Sequence, residues 1–144
     1  MKKKTTGINV TNRKARFDYD ITDTFEAGIV LTGKEIKAIR AGKSKIEGSY
    51  VKIINAEAFW LGGTIQTLSS DNQRTRKLLL HENEIKTLIG KTQEQGMALI
   101  PLKLYLKRGR AKLELGLGKG MKKYDKRAKI KERDLARDIQ RKIS

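Results

Sequence analysis

Leu102-Lys103-Leu104-Tyr105-Leu106-Lys107-Arg108-Gly109-Arg110-Ala111-Lys112-Leu113-Glu114-Leu115-Gly116-Leu117 is the stretch that decides the fold. Leu102, Leu104 and Leu106 alternate with Lys103, Tyr105 and Lys107, which is the period of a strand with one buried face. Arg108-Gly109 turns the chain. Ala111, Leu113, Leu115 and Leu117 then return on one face, with Lys112 and Glu114 on the other, so the segment reads as an antiparallel hairpin.

Strand signals continue upstream. Phe17, Tyr19 and Ile21 alternate with Asp18, Asp20 and Thr22, predicting a strand over 17–22, and further strands are expected over 25–31 and 49–54. Residues 58–64 are rich in strand formers but contain Gly62-Gly63, a bulge or tight bend. Two helices interrupt this pattern. One is expected over 33–41, with Thr32 and Glu35 as a capping box, Ile36 and Ile39 as its buried stripe and Gly42 as its stop. The other begins near His81, carries Glu82 and Glu84 at its positive end and buries Ile85, Leu88 and Ile89; it ends at Gly90 or continues to Gln95. About six short strands with two inserted helices predict a mainly β fold, an OB-like antiparallel β-barrel that is closed or nearly closed.

The chain has 144 residues, the size of one ordinary domain, with 33 Lys+Arg, 16 Asp+Glu and a net charge of +17. Residues 119–144 hold 11 Lys/Arg against 4 Asp/Glu, a net of +7, so positive charge is densest at the C-terminus. The expected division is therefore a barrel over 1–118 and a basic tail over 119–144. In the tail, Ala128, Leu135, Ile139 and Ile143 form a narrow helical stripe interrupted by Glu132. Such a segment is expected to be disordered alone and helical when a polyanion neutralises it. Nucleic acid is that polyanion, since each neutralised phosphate releases a condensed counterion.

With no Cys, disulfides, iron–sulfur clusters and cysteine nucleophiles are excluded. Met1-Lys2-Lys3-Lys4 is followed by no apolar segment, and no stretch is long and apolar enough to cross a bilayer. A soluble, cytoplasmic protein without membrane partners is expected. Gly42-Lys43-Ser44 has Lys37 where a phosphate-binding loop needs Gly, and Gly116, Gly118 and Gly120 fall short of a dinucleotide fingerprint; a flexible joint before the tail accounts for them better. Asp18, Asp20 and Asp23 lack the Gly and distal Glu of a calcium loop and read as solvated positions. His81 is the sole His, which rules out a His metal pair or a two-histidine catalytic site within one chain. No catalytic residue, metal site or cofactor is expected, and the chain does not read as an enzyme.

Basic clusters carry more information. Arg13, Lys14 and Arg16 precede Phe17 and Tyr19; Arg74, Arg76 and Lys77 precede three leucines; Lys119, Lys122, Lys123, Lys126 and Arg127 surround Tyr124. One cluster alone is a solvated face. Together, with aromatic rings able to stack on unpaired bases, they favour RNA.

Ordered motifs over nearly the whole chain resemble the small protein B (SmpB, SsrA-binding protein) family of bacterial trans-translation. They include Asn12-Arg13-Lys14-Ala15-Arg16, Phe25-Glu26-Ala27-Gly28, Leu31-Thr32-Gly33-Lys34-Glu35, Arg40-Ala41-Gly42-Lys43 and Ser49-Tyr50-Val51. Arg74-Thr75-Arg76-Lys77-Leu78-Leu79-Leu80-His81, Leu102-Lys103-Leu104-Tyr105, Gly118-Lys119-Gly120, Asp125-Lys126-Arg127 and Ile130-Lys131-Glu132-Arg133 follow in order. The resemblance implies a barrel that binds the tRNA-like domain of tmRNA (SsrA RNA), enters a ribosome whose decoding site lacks a codon, and lays its tail in the vacant mRNA channel. The nascent chain is then tagged for degradation and the ribosome released. Elongation factor Tu and alanyl-tRNA synthetase would be indirect partners through tmRNA.

By motif, Glu26, Leu79 and His81 would belong to the tmRNA-binding face, with Asn12, Tyr19, Arg76, Lys77, Lys119 and Gly120 as neighbours. Tyr124, Asp125, Lys126 and Arg127 would lie at the decoding centre, and Ile130, Lys131 and Arg133 along the mRNA channel beside ribosomal RNA. Many relatives have His where Tyr124 stands and Lys where Met121 stands, and Phe17 replaces a polar residue of some relatives. Tyr124 offers a ring for stacking but cannot become cationic. Glu26 is an acid on an RNA-binding face. It could accept hydrogen bonds from base amino groups or ribose hydroxyls, orient a nearby Arg, or be a structural strand residue. The competing function is a structural ribosomal or rRNA-binding protein with a basic extension.

Overall fold

In the computed structural model, which describes residues 9–68, 71–94 and 96–120, the elements run β1 (Asn9–Thr11), α1 (Arg13–Asp18), β2 (Tyr19–Ile29), α2 (Gly33–Arg40), β3 (Ser44–Lys45), β4 (Tyr50–Ile54), β5 (Glu57–Leu61), β6 (Thr64–Ile65), β7 (Arg76–Leu79), α3 (Glu82–Thr92), β8 (Met97–Lys107) and β9 (Arg110–Gly120). The leucine hairpin forms as its alternation dictates, with Leu106 opposite Ala111 and Leu104 opposite Leu113. β9 pairs with β2, β2 with β7, β7 with β5, β5 with β4, and β4 returns to β8 through Val51 opposite Leu99. Six strands thus close a ring, the mainly β barrel with inserted helices that the pattern predicts. β1 lies along the same edge of β8 as β4, farther along the strand, and β3 pairs with β6 separately.

The interior holds Trp60, Ile39, Ile46, Ile65, Leu78, Leu88, Leu104, Leu113, Leu115 and Leu117, all buried. Each such side chain withdrawn from water contributes roughly 1.5–3 kcal/mol. Leu102 departs from the simple alternation. A register shift between Pro101 and Lys103 sends Leu102, with Ile100, against Ala15 of α1 in a smaller cluster.

Four local expectations change. Phe17 and Asp18 close helix α1, because Asn12 caps it by accepting from the Ala15 N–H and the strand begins only at Tyr19. The two strands expected over 17–22 and 25–31 are one, Tyr19–Ile29, with a bulge between Ile21 and Asp23. Arg76–Leu79 is a barrel strand where none was expected, while α3 takes the longer of its two expected courses, passing Gly90 and ending at Thr92. Finally, the glycines near the end of the barrel are not a joint. A Cβ on Gly116 would sit 2.7 Å from Leu102 Cδ1, and one on Gly118 would sit 2.8 Å from the Asp20 carbonyl oxygen, so glycine there permits close strand packing. β9 pairs with β2 as far as Gly120 opposite Tyr19, two residues beyond the expected boundary at 118. The rest of the expected tail lies outside the described residues.

Helix α2 carries its capping box: Thr32 accepts from the Glu35 N–H, and Glu35 accepts from the Thr32 N–H. Its buried face is Glu35, Ala38 and Ile39, with Ile36 only half-buried. A carboxylate sits where the apolar stripe predicts isoleucine.

Candidate nucleic-acid interface

Arg76, expected near RNA, is fully buried. Its Nε donates to Glu35 Oε2 at 2.9 Å, and its two terminal nitrogens donate to the Gly63 and Asn72 carbonyls, each at 2.9 Å. The guanidinium lies 5.3 Å from the centre of the Trp60 ring. Arg74 also donates to Glu35 and to the Val30 carbonyl. Arg76 is therefore a cross-brace between α2 and β7 rather than a surface cation, because a charge without water must be paired in place. Gly63 makes room for the Trp60 ring: a Cβ there would fall 1.9 Å from one of its carbons. Asn12 is also inside. It is buried, capping α1 and donating to the Pro101 carbonyl at 2.9 Å.

Burial pushes the Glu35 carboxyl up, but hydrogen bonds from Arg74, the Thr32 N–H and Arg76 outweigh it and hold the group down at about 2. A folded-state value below the ordinary 4.5 gives stability that is present above 4.5 and lost as pH falls toward 2. The stability advantage of wild type over Glu35→Gln is expected to shrink by up to about 3 kcal/mol across that acid window. Denaturant melts at stepped pH check this; a constant difference contradicts it.

The outward face of the barrel is built by the same alternation that fills its core. Leu79 on β7 lies opposite Gly28 on β2, Gly28 opposite Lys112 on β9, and Lys112 opposite Tyr105 on β8. Glu26 shares the outward side of β2 with Gly28, since Ala27 and Ile29 point inward and are buried. Leu79 is 55% exposed, unusual for leucine on a strand. From Leu79 the antiparallel direction carries Leu80 and His81 back toward Glu26. His81 is exposed at the N-terminus of α3, where its backbone N–H donates to Glu84 at 3.0 Å. Lys77 faces outward on β7 and lies 3.8 Å from the Glu57 carboxylate.

Glu26 is tied to its own surface. It accepts from the Tyr105 hydroxyl, and Lys107 Nζ stands 3.6 Å from its other oxygen. The Tyr105 hydrogen bond, with the positive charges of Lys107 and Lys112 and against a little burial, lowers the Glu26 carboxyl below its usual range. Burial and the Glu26 carboxylate push the Tyr105 phenol up, so it stays a donor.

The remaining expected contacts stand elsewhere. Tyr19, Lys119 and Gly120 gather where β2 begins and β9 ends, with Tyr19 opposite Gly120 and Asp20 opposite Lys119. Glu26 is seven residue steps along the strand from Tyr19, about 23 Å. Tyr19 borders a groove of about 550 Å3 shared with Tyr50, Lys14 and Lys45. The structure thus brings Glu26, Leu79, Lys77 and His81 to one region and leaves Tyr19, Lys119 and Gly120 apart. Tyr124, Asp125, Lys126, Arg127, Ile130, Lys131 and Arg133 lie outside the described residues. The family motifs reach Tyr105 without giving it a role and leave out Lys107, Arg110 and Lys112, whose outward positions follow from the alternation of the hairpin. Among the described residues no group of three or more His, Asp or Glu could hold a metal ion, and no helix is long and apolar enough to cross a membrane.

Residues 9–144 match the protein family described as SmpB protein. The SsrA-binding protein of Shouchella clausii (strain KSM-K16) is 50% identical over 138 residues, covering 92% of this chain and 88% of the relative. That of Geobacillus sp. (strain WCH70) is 52% identical over 136 residues, covering 90% and 88%. A solved structure described as "tmRNA-SmpB: a journey to the center of the bacterial ribosome" superposes with a TM-score of 0.68 at 41% identity, covering 81% of this chain and 87% of that one.

Proposed function

The chain belongs to the SmpB protein family, and from that premise we propose that it binds SsrA RNA and serves trans-translation on the ribosome. The observation that carries the reading is half identity to SsrA-binding proteins over nine-tenths of the chain, together with a closed barrel like that of the ribosome-associated relative. The tRNA-like domain of the RNA is the ligand of the barrel. Its face is centred on Glu26, Leu79 and His81, because an exposed leucine, an imidazole and a ring of cations offer apolar, polar and ionic contacts to folded RNA. Residues beyond Gly120 act on the ribosome. Tyr124 to Arg127 meet the decoding centre, and Ile130, Lys131 and Arg133 follow the mRNA channel. A basic tail and a message compete for one phosphate-walled channel, so the tail gains its contacts only when the channel is empty.

The test is binding at one fixed salt concentration to the tRNA-like domain of tmRNA, to an ordinary elongator tRNA and to duplex DNA. The tRNA-like domain is expected to bind tightest. Equal affinity for all three would leave only nonspecific charge attraction and would remove the reading.

A further inference from the structure

The turn between β8 and β9 carries a concentration of charge that the family motifs leave out. Lys107, Arg108, Arg110 and Lys112 line a basin of about 500 Å3 with Glu26 as its single acid. Arg40, at the end of α2, also reaches this turn: a Cβ on Gly109 would lie 3.9 Å from its Nη2. The turn is well defined, since Arg108 (φ 53°) and Gly109 (φ 77°) both take the left-handed conformation of a two-residue hairpin whose twist matches its strands. The cations therefore stand on a rigid rim. Glu26 offsets little of their charge. Its carboxylate is engaged by Tyr105 and Lys107, and among the described residues the side chains of Arg108 and Arg110 make no ion pair or hydrogen bond.

Like charges gathered around a polar basin repel one another and are relieved by a polyvalent anion. The fork of an arginine fits a phosphate. The basin also borders Leu79, because Lys112 and Leu79 both flank Gly28. We propose that this basin is a phosphate subsite that holds the ribose-phosphate backbone of the SsrA RNA, with Glu26 as a positioning residue that fixes Lys107 and Tyr105. The inference rests on the proposed function and adds to it the residues that meet the RNA backbone. It also gives a role to an acid on an RNA-binding face: Glu26 faces its own cations and phenol.

The full-length protein carrying Arg108→Asn and Arg110→Gln tests the subsite, since Asn accepts the left-handed turn conformation readily. Affinity for the tRNA-like domain is measured across a salt series. Loss of two phosphate contacts is expected to make the log–log salt slope shallower by about 1.4–1.8 and to weaken binding roughly tenfold at physiological salt. Lys14→Gln with Lys45→Gln, which removes equal charge from the groove beside Tyr19, is expected to change the slope much less. An unchanged slope in the first pair, or equal changes in both pairs, overturns the subsite while wild type still prefers the tRNA-like domain. Wild type without that preference overturns the functional reading and the inference with it. For Glu26, the loss caused by Glu26→Gln is expected to vanish in a Lys107→Gln, Tyr105→Phe background. A full additional loss there would make Glu26 a direct RNA contact.

Discussion

Glu35→Ala is expected to destabilise the protein by roughly 3–5 kcal/mol, because it strands the fully buried Arg76 guanidinium without its counter-charge. Against a domain stability of about 5–15 kcal/mol, that is enough to unfold a substantial fraction of molecules near body temperature. The cost is large for a specific reason. Arg76 cannot turn to solvent, since Trp60 covers it and the Gly63 and Asn72 carbonyls hold its terminal nitrogens. RNA affinity should fall with folded fraction, because the strand that begins with Arg76 ends with the exposed Leu79. Thermal or urea melts measure the loss. Replacing Glu35 and Arg76 together by apolar residues of similar volume should recover much of it, since no unpaired charge is then left behind. If Glu35→Ala alone melts within about 1 kcal/mol of wild type, a weight this large does not rest on the ion pair.

Ending the chain after Gly120 is expected to abolish tagging of nascent chains on stalled ribosomes while leaving affinity for the tRNA-like domain within about tenfold of wild type. The cut removes 10 of the 33 Lys/Arg with 4 of the 16 Asp/Glu, so some long-range attraction is lost. None of Glu26, Leu79, Arg108 or Arg110 is touched. Gly120 is the proper cutting point, because ending at Gly118 would also remove the pairs of Lys119 with Asp20 and Gly120 with Tyr19. Binding to the RNA by gel shift and tagging in a reconstituted translation reaction read the two functions separately. Parallel loss of both would mean that barrel and tail do not divide the work.

The hairpin shows why so much of the fold is written locally. Its leucines repeat at the strand period and its turn residues suit the left-handed conformation, so neighbouring positions suffice to specify it. The capping box of α2 is equally local, spanning three residues. The strand expected over 17–22 holds from Tyr19 onward, but Phe17 and Asp18 belong to α1, whose Asn12 cap overrides the two-residue period at its start. β7 was missed because Arg74, Arg76 and Lys77 suggest a solvated segment.

In the candidate interface, the motifs drew Glu26, Leu79 and His81 from separate parts of the chain, and closure of the barrel set the first two on neighbouring strands. Spacing along the chain gave no means of telling Arg76 from Lys77. One points into the barrel beside Glu35 and the other outward beside Glu57. The order of residues alone established a basic, mainly β domain with a leucine hairpin and inserted helices, since hydrophobic period, turn chemistry and charge are sums over near neighbours. Which cations face outward and which brace the core was decided only when β7 closed against β2 and β5. The pairing of Arg76 with Glu35, and of Glu26 with Tyr105 and Lys107, joins residues 41 and about 80 positions apart, a distance that no local rule of sequence spans.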